Sequence, residues 1–183
     1  RQHTNGGFTY WPGASGSNDY ISVYAAHFLL EASLRGYPVP KDFMENVFTY
    51  LQTLSRNDAI TLESARTKAY AIYLLTRRGI VTTNYINSLR RTLDSKFKDT
   101  WEKDITAVYL AGAYKLLKLD SEAEKLKKYT DSKNRTKWFY NAYIESFYDD
   151  LVYNAMYIYI MSEHFQADFI MDPILELAED ITE

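Results

Sequence analysis

The sequence predicts an all-α protein, a partial α/α toroid of about four helical hairpins arranged in inner and outer layers. Three observations lead there. Apolar residues recur with the 3.6-residue period of an amphipathic helix. Gly or Pro stands at several of the expected helix ends. The hairpin itself recurs, because the centres of the first helices, Tyr24, Tyr70, Tyr109 and Asn154, lie 46, 39 and 45 residues apart.

Residues 1–18 hold four of the seven Gly (Gly6, Gly7, Gly13 and Gly16) plus Pro12, and read as an irregular lead-in. Residues 19–183 read as the hairpin repeats of a single helical domain. From Asp19 to Arg35 the apolar positions Ile21, Tyr24, Ala25, Phe28 and Leu29 share one side, and Gly36 follows as a stop. Pro38 and Pro40 separate this helix from a second, about Lys41 to Leu54. The next pair runs from about Thr61 to Arg78, ending at Gly79, and from about Thr83 to Phe97. A third pair begins near Trp101, ends near Lys118, and continues with a charged helix from about Ser121 to Tyr129. A fourth helix of the inner kind spans about Phe147 to His164, and a last one starts at Asp172-Pro173, where Asp can cap and Pro fits the first turn.

The layers follow from composition. Segments such as Ala69-Tyr70-Ala71-Ile72 and Tyr109-Leu110-Ala111-Gly112-Ala113 are apolar nearly all round, as inner helices must be, and their small residues allow close approach. Segments such as Glu122-Ala123-Glu124-Lys125-Leu126-Lys127-Lys128 carry charge for a solvated outer face. Four hairpins are fewer than a closed ring needs. The inner-helix flanks around Phe28 and Tyr157 therefore lack a neighbour, and are met by self-association or by the terminal segments Arg1–Asn18 and Phe165–Glu183 folding across them.

Composition narrows function. A net charge of −3 with no basic cluster gives no footprint for nucleic acid. No apolar run reaches the roughly 18 to 20 residues of a membrane span. Cysteine is absent, which removes thiol and thioester chemistry and Cys-type zinc sites from what this stretch does by itself. An Arg at position 1 in place of Met points to a piece of a longer protein. Aromatic content is 16%, with 17 Tyr, which suits either a thick helical core or a sugar-binding cleft.

Candidate chemistry is sparse. Asp19, Asp104 and Asp150 each stand four or five residues before an aligned helix centre, where a carboxylate caps or meets the helix dipole. The sharper alternative pairs such carboxylates as acid and base in a glycosidase on an α/α toroid. His3, His27 and His164 have no mutual ligand spacing, and His27 sits in the apolar middle of a helix, so no metal or other cofactor is implied. Ser15, Ser17 and Ser22 form no nucleophile elbow, and Asn134-Arg135-Thr136 matches only a three-residue glycosylation pattern. In the lead-in, Gly6 and Gly7 permit positive φ or close backbone approach, and Phe8, Tyr10 and Trp11 supply an aromatic plug or, alternatively, a stacking platform.

The run Gly6-Gly7-Phe8-Thr9-Tyr10-Trp11-Pro12-Gly13, then Asp19 to Ala32 with Tyr24-Ala25-Ala26-His27-Phe28-Leu29-Leu30-Glu31-Ala32, then Gly36-Tyr37-Pro38-Val39-Pro40, is specific. Over Asn5 to Pro40 it resembles the thioester-type helical domain of bacterial alpha-2-macroglobulins, with Gly6, Gly7, Phe8 and Trp11 as the structural motif. The resemblance implies a non-catalytic piece of a large, exported, periplasmic protein that entraps proteases. Its partners would be target proteases, engaged by the full-length protein, and neighbouring domains of the same chain. Thioester-bearing members carry a Cys-x-Glu-Gln motif ahead of the Gly-Gly-Phe loop, and no reactive residue carries over onto this sequence. The alternatives from other classes are a carbohydrate-active or terpenoid-type enzyme on an α/α toroid and a generic helical-repeat binding scaffold.

Overall fold

Asn18 opens the first helix by a local bargain of hydrogen bonds: its backbone is extended, and its side-chain carbonyl accepts from the Ile21 amide at 3.0 Å. The same logic repeats along a computed structural model that describes residues 1–98, 100–127, 150–168 and 175. Among these the elements are α1 (Asp19–Leu34), α2 (Lys41–Arg56), α3 (Leu62–Arg77) and α4 (Thr83–Lys96), then a 3₁₀ turn (Trp101–Lys103). After it come α5 (Ile105–Leu116), α6 (Asp120–Lys127), α7 (Asp150–His164) and a second 3₁₀ turn (Gln166–Asp168). No strand occurs among the described residues; Phe8 makes two isolated bridges, to Gln2 and to Asn18. The protein is all-α.

Three of the helices end alike. After α1, the amides of Gly36 and Tyr37 bond back to the carbonyls of Ser33 and Ala32 at 3.1 and 3.0 Å. After α3, Gly79 and Ile80 do the same to Thr76 and Leu75, and after α5, Lys118 and Leu119 do so to Lys115 and Tyr114. Each is a Schellman turn, which satisfies the last carbonyls and requires a left-handed residue. Gly36 and Gly79 supply it freely with φ of 80° and 84°, whereas Lys118 is a side-chain-bearing residue at φ 59°. The recurrence of this turn after the first members of the first three hairpins is the structural form of the sequence repeat.

Two compact units divide the chain, Arg1–Phe97 and Lys98–Glu183. In the first, α1 packs on α2 and α3, and α3 packs also on α2 and α4. Every residue of α3 from Thr67 to Thr76 is buried, as an inner helix requires, while α2 and α4 bury only one side. In the second unit α5 is buried from Ile105 to Tyr114 and packs on α6, α7 and the Trp101 turn.

The structure corrects several sequence expectations. The third inner helix starts at Ile105, not near Trp101, because Asp104 adopts an extended backbone and caps it; Trp101 instead lies fully buried in the preceding 3₁₀ turn. The second helix runs on to Arg56, and the charged helix begins at Asp120. Tyr157, expected on a flank met by self-association or by a terminal segment, is buried with Tyr153 and Ile160 in α7, which packs on α5. The chain beyond α7 turns in at once: Phe165 is buried, with the ammonium groups of Lys115 and Lys127 within 5.9 and 5.7 Å of its ring centre. Phe28, by contrast, is 68% exposed, as expected for a helix flank without a neighbour. The Asn134 pattern, the end of the charged helix past Lys127, the start of the fourth inner helix before Asp150 and, apart from Leu175, the helix expected from Asp172 lie outside the described residues.

Candidate functional site

The lead-in segment is anchored at its base. Gln2 donates its side-chain amide to the carbonyls of Gly6 and Phe43, both at 3.0 Å, which ties residues 2–6 to the start of α2. Gly6 has φ 88° and approaches α2 so closely that a Cβ there would lie 2.2 Å from the Asn46 carbonyl oxygen. Gly7 is wedged against Ser17 and the Tyr50 ring, at 2.5 and 2.8 Å from where its Cβ would stand. The Gly7 amide donates to Asn5 Oδ1 at 3.0 Å, and the Phe8 amide to Ser22 Oγ at 2.8 Å. Tyr50 closes the set by donating to the Asp19 carboxylate at 2.5 Å; burial, then that bond, push its phenol pKa up.

The four motif residues thus take different places. Gly6 and Gly7 are buried, Phe8 is half-buried between its two bridge partners, and Trp11 projects into solvent at 75% exposure. Tyr10 is also exposed, so the aromatic plug expected from Phe8, Tyr10 and Trp11 does not form as a packed unit in Arg1–Phe97. The lead-in docks on α2 and the start of α1 rather than across Phe28.

Of the three expected carboxylates, Asp104 is fully buried and accepts from the Thr106 amide and hydroxyl at 2.9 and 2.6 Å, which makes it a cap. Asp19 stands in the first turn of α1, exposed and bonded to Tyr50. The Asp150 side chain lies outside the description. His3 is half-buried in the lead-in, and His164 sits in the last turn of α7. Ser15 is exposed, Ser17 receives a bond from Asn5, and Ser22 is buried under Phe8. No group of three or more His, Asp or Glu able to hold a metal occurs among the described residues.

A polar cluster that the sequence reading did not assemble joins α1 to α3. Glu31 pairs with Arg77 of α3 and with Arg35 one turn on in its own helix. His27 Nε2 lies 3.4 Å from Arg77 Nη1 and 3.6 Å from Glu31 Oε1, so it faces a donor and an acceptor together. The His27 Nδ1 shares a hydrogen bond of 2.5 Å with the Tyr70 hydroxyl. Burial first, then Arg77, lowers the His27 pKa to about 4 against the opposing pull of Glu31, so the imidazole is neutral near pH 7. The i, i+4 spacing of His27 and Glu31 was visible in the sequence; Arg77, 46 residues from Glu31, had no local signal.

No family model matches the chain. An alpha-2-macroglobulin of Rickettsia conorii is 40% identical over 167 residues, which is 90% of this chain. The chain is related to a segment of bacterial alpha-2-macroglobulin. It spans 9% of the Rickettsia relative's length. Two solved structures agree in fold. Native Escherichia coli alpha-2-macroglobulin superposes with a TM-score of 0.77 over all of this chain and 12% of its own, at 18% identity. The trypsin-activated Escherichia coli alpha-2-macroglobulin gives 0.72 over 98% of this chain and 12% of its own, at 17% identity. At such identities these two likenesses bear on the fold alone.

Proposed function

We propose that the chain is the thioester-type helical domain of a bacterial alpha-2-macroglobulin, a non-catalytic part of a protein that entraps proteases. The observation that carries this is the 40% identity to an alpha-2-macroglobulin across 90% of the chain. In this reading the parent resides in the periplasm, a protease cuts a bait segment elsewhere in it, and the helical domain contributes shape and contacts to neighbouring domains. The Gly6-Gly7-Phe8 turn serves as a structural anchor: its glycines admit the lead-in against α2, leaving Trp11 outward for a neighbouring domain. Residues 1–183 are read as one helical domain of that parent. Commitment of the buried Asp104 to its cap speaks against the glycosidase reading, because an acid/base carboxylate must reach a groove.

Trypsin tests the proposal, since a related protein is described in a trypsin-activated form. The intact parent, mixed with trypsin, is expected to leave cleavage of a small chromogenic peptide largely intact while suppressing digestion of casein, the signature of steric enclosure. Equal rates on casein with and without the parent would reject it.

A further inference from the structure

The turn that opens the lead-in is built on Asn5 and Gly6, and the fold requires the one and favours the other. Gly6 has φ 88°, and the Asn46 carbonyl leaves no room for a Cβ. Asn5 suits the turn because its Oδ1 accepts from the Gly7 amide two residues on, at 3.0 Å, as in an Asx turn. The same pair is chemically labile. A glycine after asparagine has no Cβ to hinder its backbone nitrogen from attacking the asparagine side-chain amide.

In the docked lead-in each reacting group is engaged elsewhere. The Gly6 amide donates to the His3 carbonyl at 2.9 Å, and the His3 amide to the Gly7 carbonyl at 2.8 Å. Asn5 Nδ2 donates to Ser17 Oγ at 3.0 Å. Gln2 clasps the turn to α2 through the carbonyls of Gly6 and Phe43. Asn5 is exposed and Gly6 buried, so water reaches the pair from one side only. For the nitrogen to attack, Gly6 must release its proton and the Asn5 side chain must swing onto it, which breaks the bonds to His3 and from Gly7 together. That takes a local opening in which the turn lifts off α2.

We propose that Asn5 is a site of covalent modification by water, closed while the lead-in is docked on α2 and open once it lifts, and that the modified lead-in does not dock again. The Gly6 nitrogen loses its proton to solvent and bonds to Asn5 Cγ; the Cγ–Nδ2 bond breaks, and ammonia leaves. Water then opens the cyclic imide at either carbonyl, so asparagine plus water becomes isoaspartate or aspartate plus ammonia. Isoaspartate adds a methylene to the main chain beside Gly6 and Gly7, where even a Cβ would stand 2.2 Å from the Asn46 carbonyl oxygen and 2.5 Å from Ser17 Cβ. Either product puts a carboxylate in place of the Nδ2 donor. Ser17 Oγ already donates to the Tyr50 hydroxyl at 3.2 Å, and Tyr50 to the Asp19 carboxylate. The new charge therefore meets donors that point away from it, in a chain that ends on a like charge.

Peptide mapping of the intact parent, incubated at mildly alkaline pH with and without guanidinium, tests this by following the amide-to-acid mass gain at Asn5. Conversion should run at least about tenfold more slowly in the native protein than in the unfolded one. Gln2→Ala, which removes the clasp, should speed native conversion several-fold and leave the rate in guanidinium unchanged. Hydrogen exchange on a partly converted native sample reads the second half of the proposal, because converted and unconverted peptides separate by chromatography. The amides of Gly6, Gly7 and Phe8 should be protected in the unconverted peptide and exchange freely in the converted one, with α3 peptides unaltered. Absence of conversion in guanidinium, native and unfolded rates within about twofold, or a native rate indifferent to Gln2→Ala would overturn the site or its lock. Equal protection of the two peptides would overturn the failure to dock again.

Discussion

Single residues show how the same backbone demand can be met well or badly. Gly6 and Lys118 both have positive φ, 88° and 59°. At Gly6 any Cβ strikes the Asn46 carbonyl, so Gly6→Ala should cost about 2 kcal/mol or more in urea unfolding, beyond the usual strain of the left-handed region. Lys118 is exposed and already strained, so Lys118→Gly should raise stability by about 0.5 to 1 kcal/mol, read as a later unfolding midpoint. His27 sets a pH dependence. Its folded pKa, about 4, lies below the unfolded value of 6.5, so between these limits the unfolded chain binds more protons. The stability it confers is complete above pH 6.5 and is lost progressively as pH falls toward 4, by at most about 3 kcal/mol. Its surroundings are the Tyr70 hydroxyl and Arg77 from α3 with Glu31 and Arg35 from α1. His27→Gln should flatten the stability slope across pH 4 to 6.5; an unchanged slope would assign it to other groups.

Elements differ in how much their caps matter, and burial decides the ranking. Thr61 and Ser64 form a reciprocal capping box at the start of α3, with both bonds at 3.0 to 3.1 Å on an exposed surface. Asp104 caps α5 from a fully buried position and satisfies two groups of Thr106. Thr61→Ala should therefore cost about 1 kcal/mol, since water replaces the lost bond. Asp104→Ala should cost roughly 3 kcal/mol, because the buried Thr106 amide and hydroxyl are left without that acceptor. Thermal or urea unfolding of the two variants side by side checks the order; equal losses would show that the Asp104 site admits water. Much of this was legible beforehand. Asp19 and Asp104 were placed at helix starts from spacing alone, and Gly36 and Gly79 at helix ends. The cap role of Asn18 and the extended backbone of Asp104 were not, because a propensity names an allowed cap without choosing between adjacent residues.

At the scale of the whole molecule, the exposed Lys98 lies at the junction of the units Arg1–Phe97 and Lys98–Glu183. Limited trypsin digestion should cut first near Lys98 and release a helical fragment of residues 1–98; early scission spread evenly through α1–α4 would mean that this unit has little stability of its own. The sequence by itself determined the helical class, the hairpin order, the glycine stops and the relationship carried by Asn5 to Pro40, since these follow from local period, local caps and residue identity. Tertiary structure alone decided which apolar faces are covered. Phe28 and Leu74 are both large apolar residues in the body of a first-of-pair helix, yet one is 68% exposed and the other fully buried. It alone also brought Arg77 to Glu31 and His27, and turned Trp11 outward while Phe8 packed. The physical reason is that periodicity reports a side chain's direction from its own helix axis, whereas burial depends on whether a second, sequence-distant element stands in that direction.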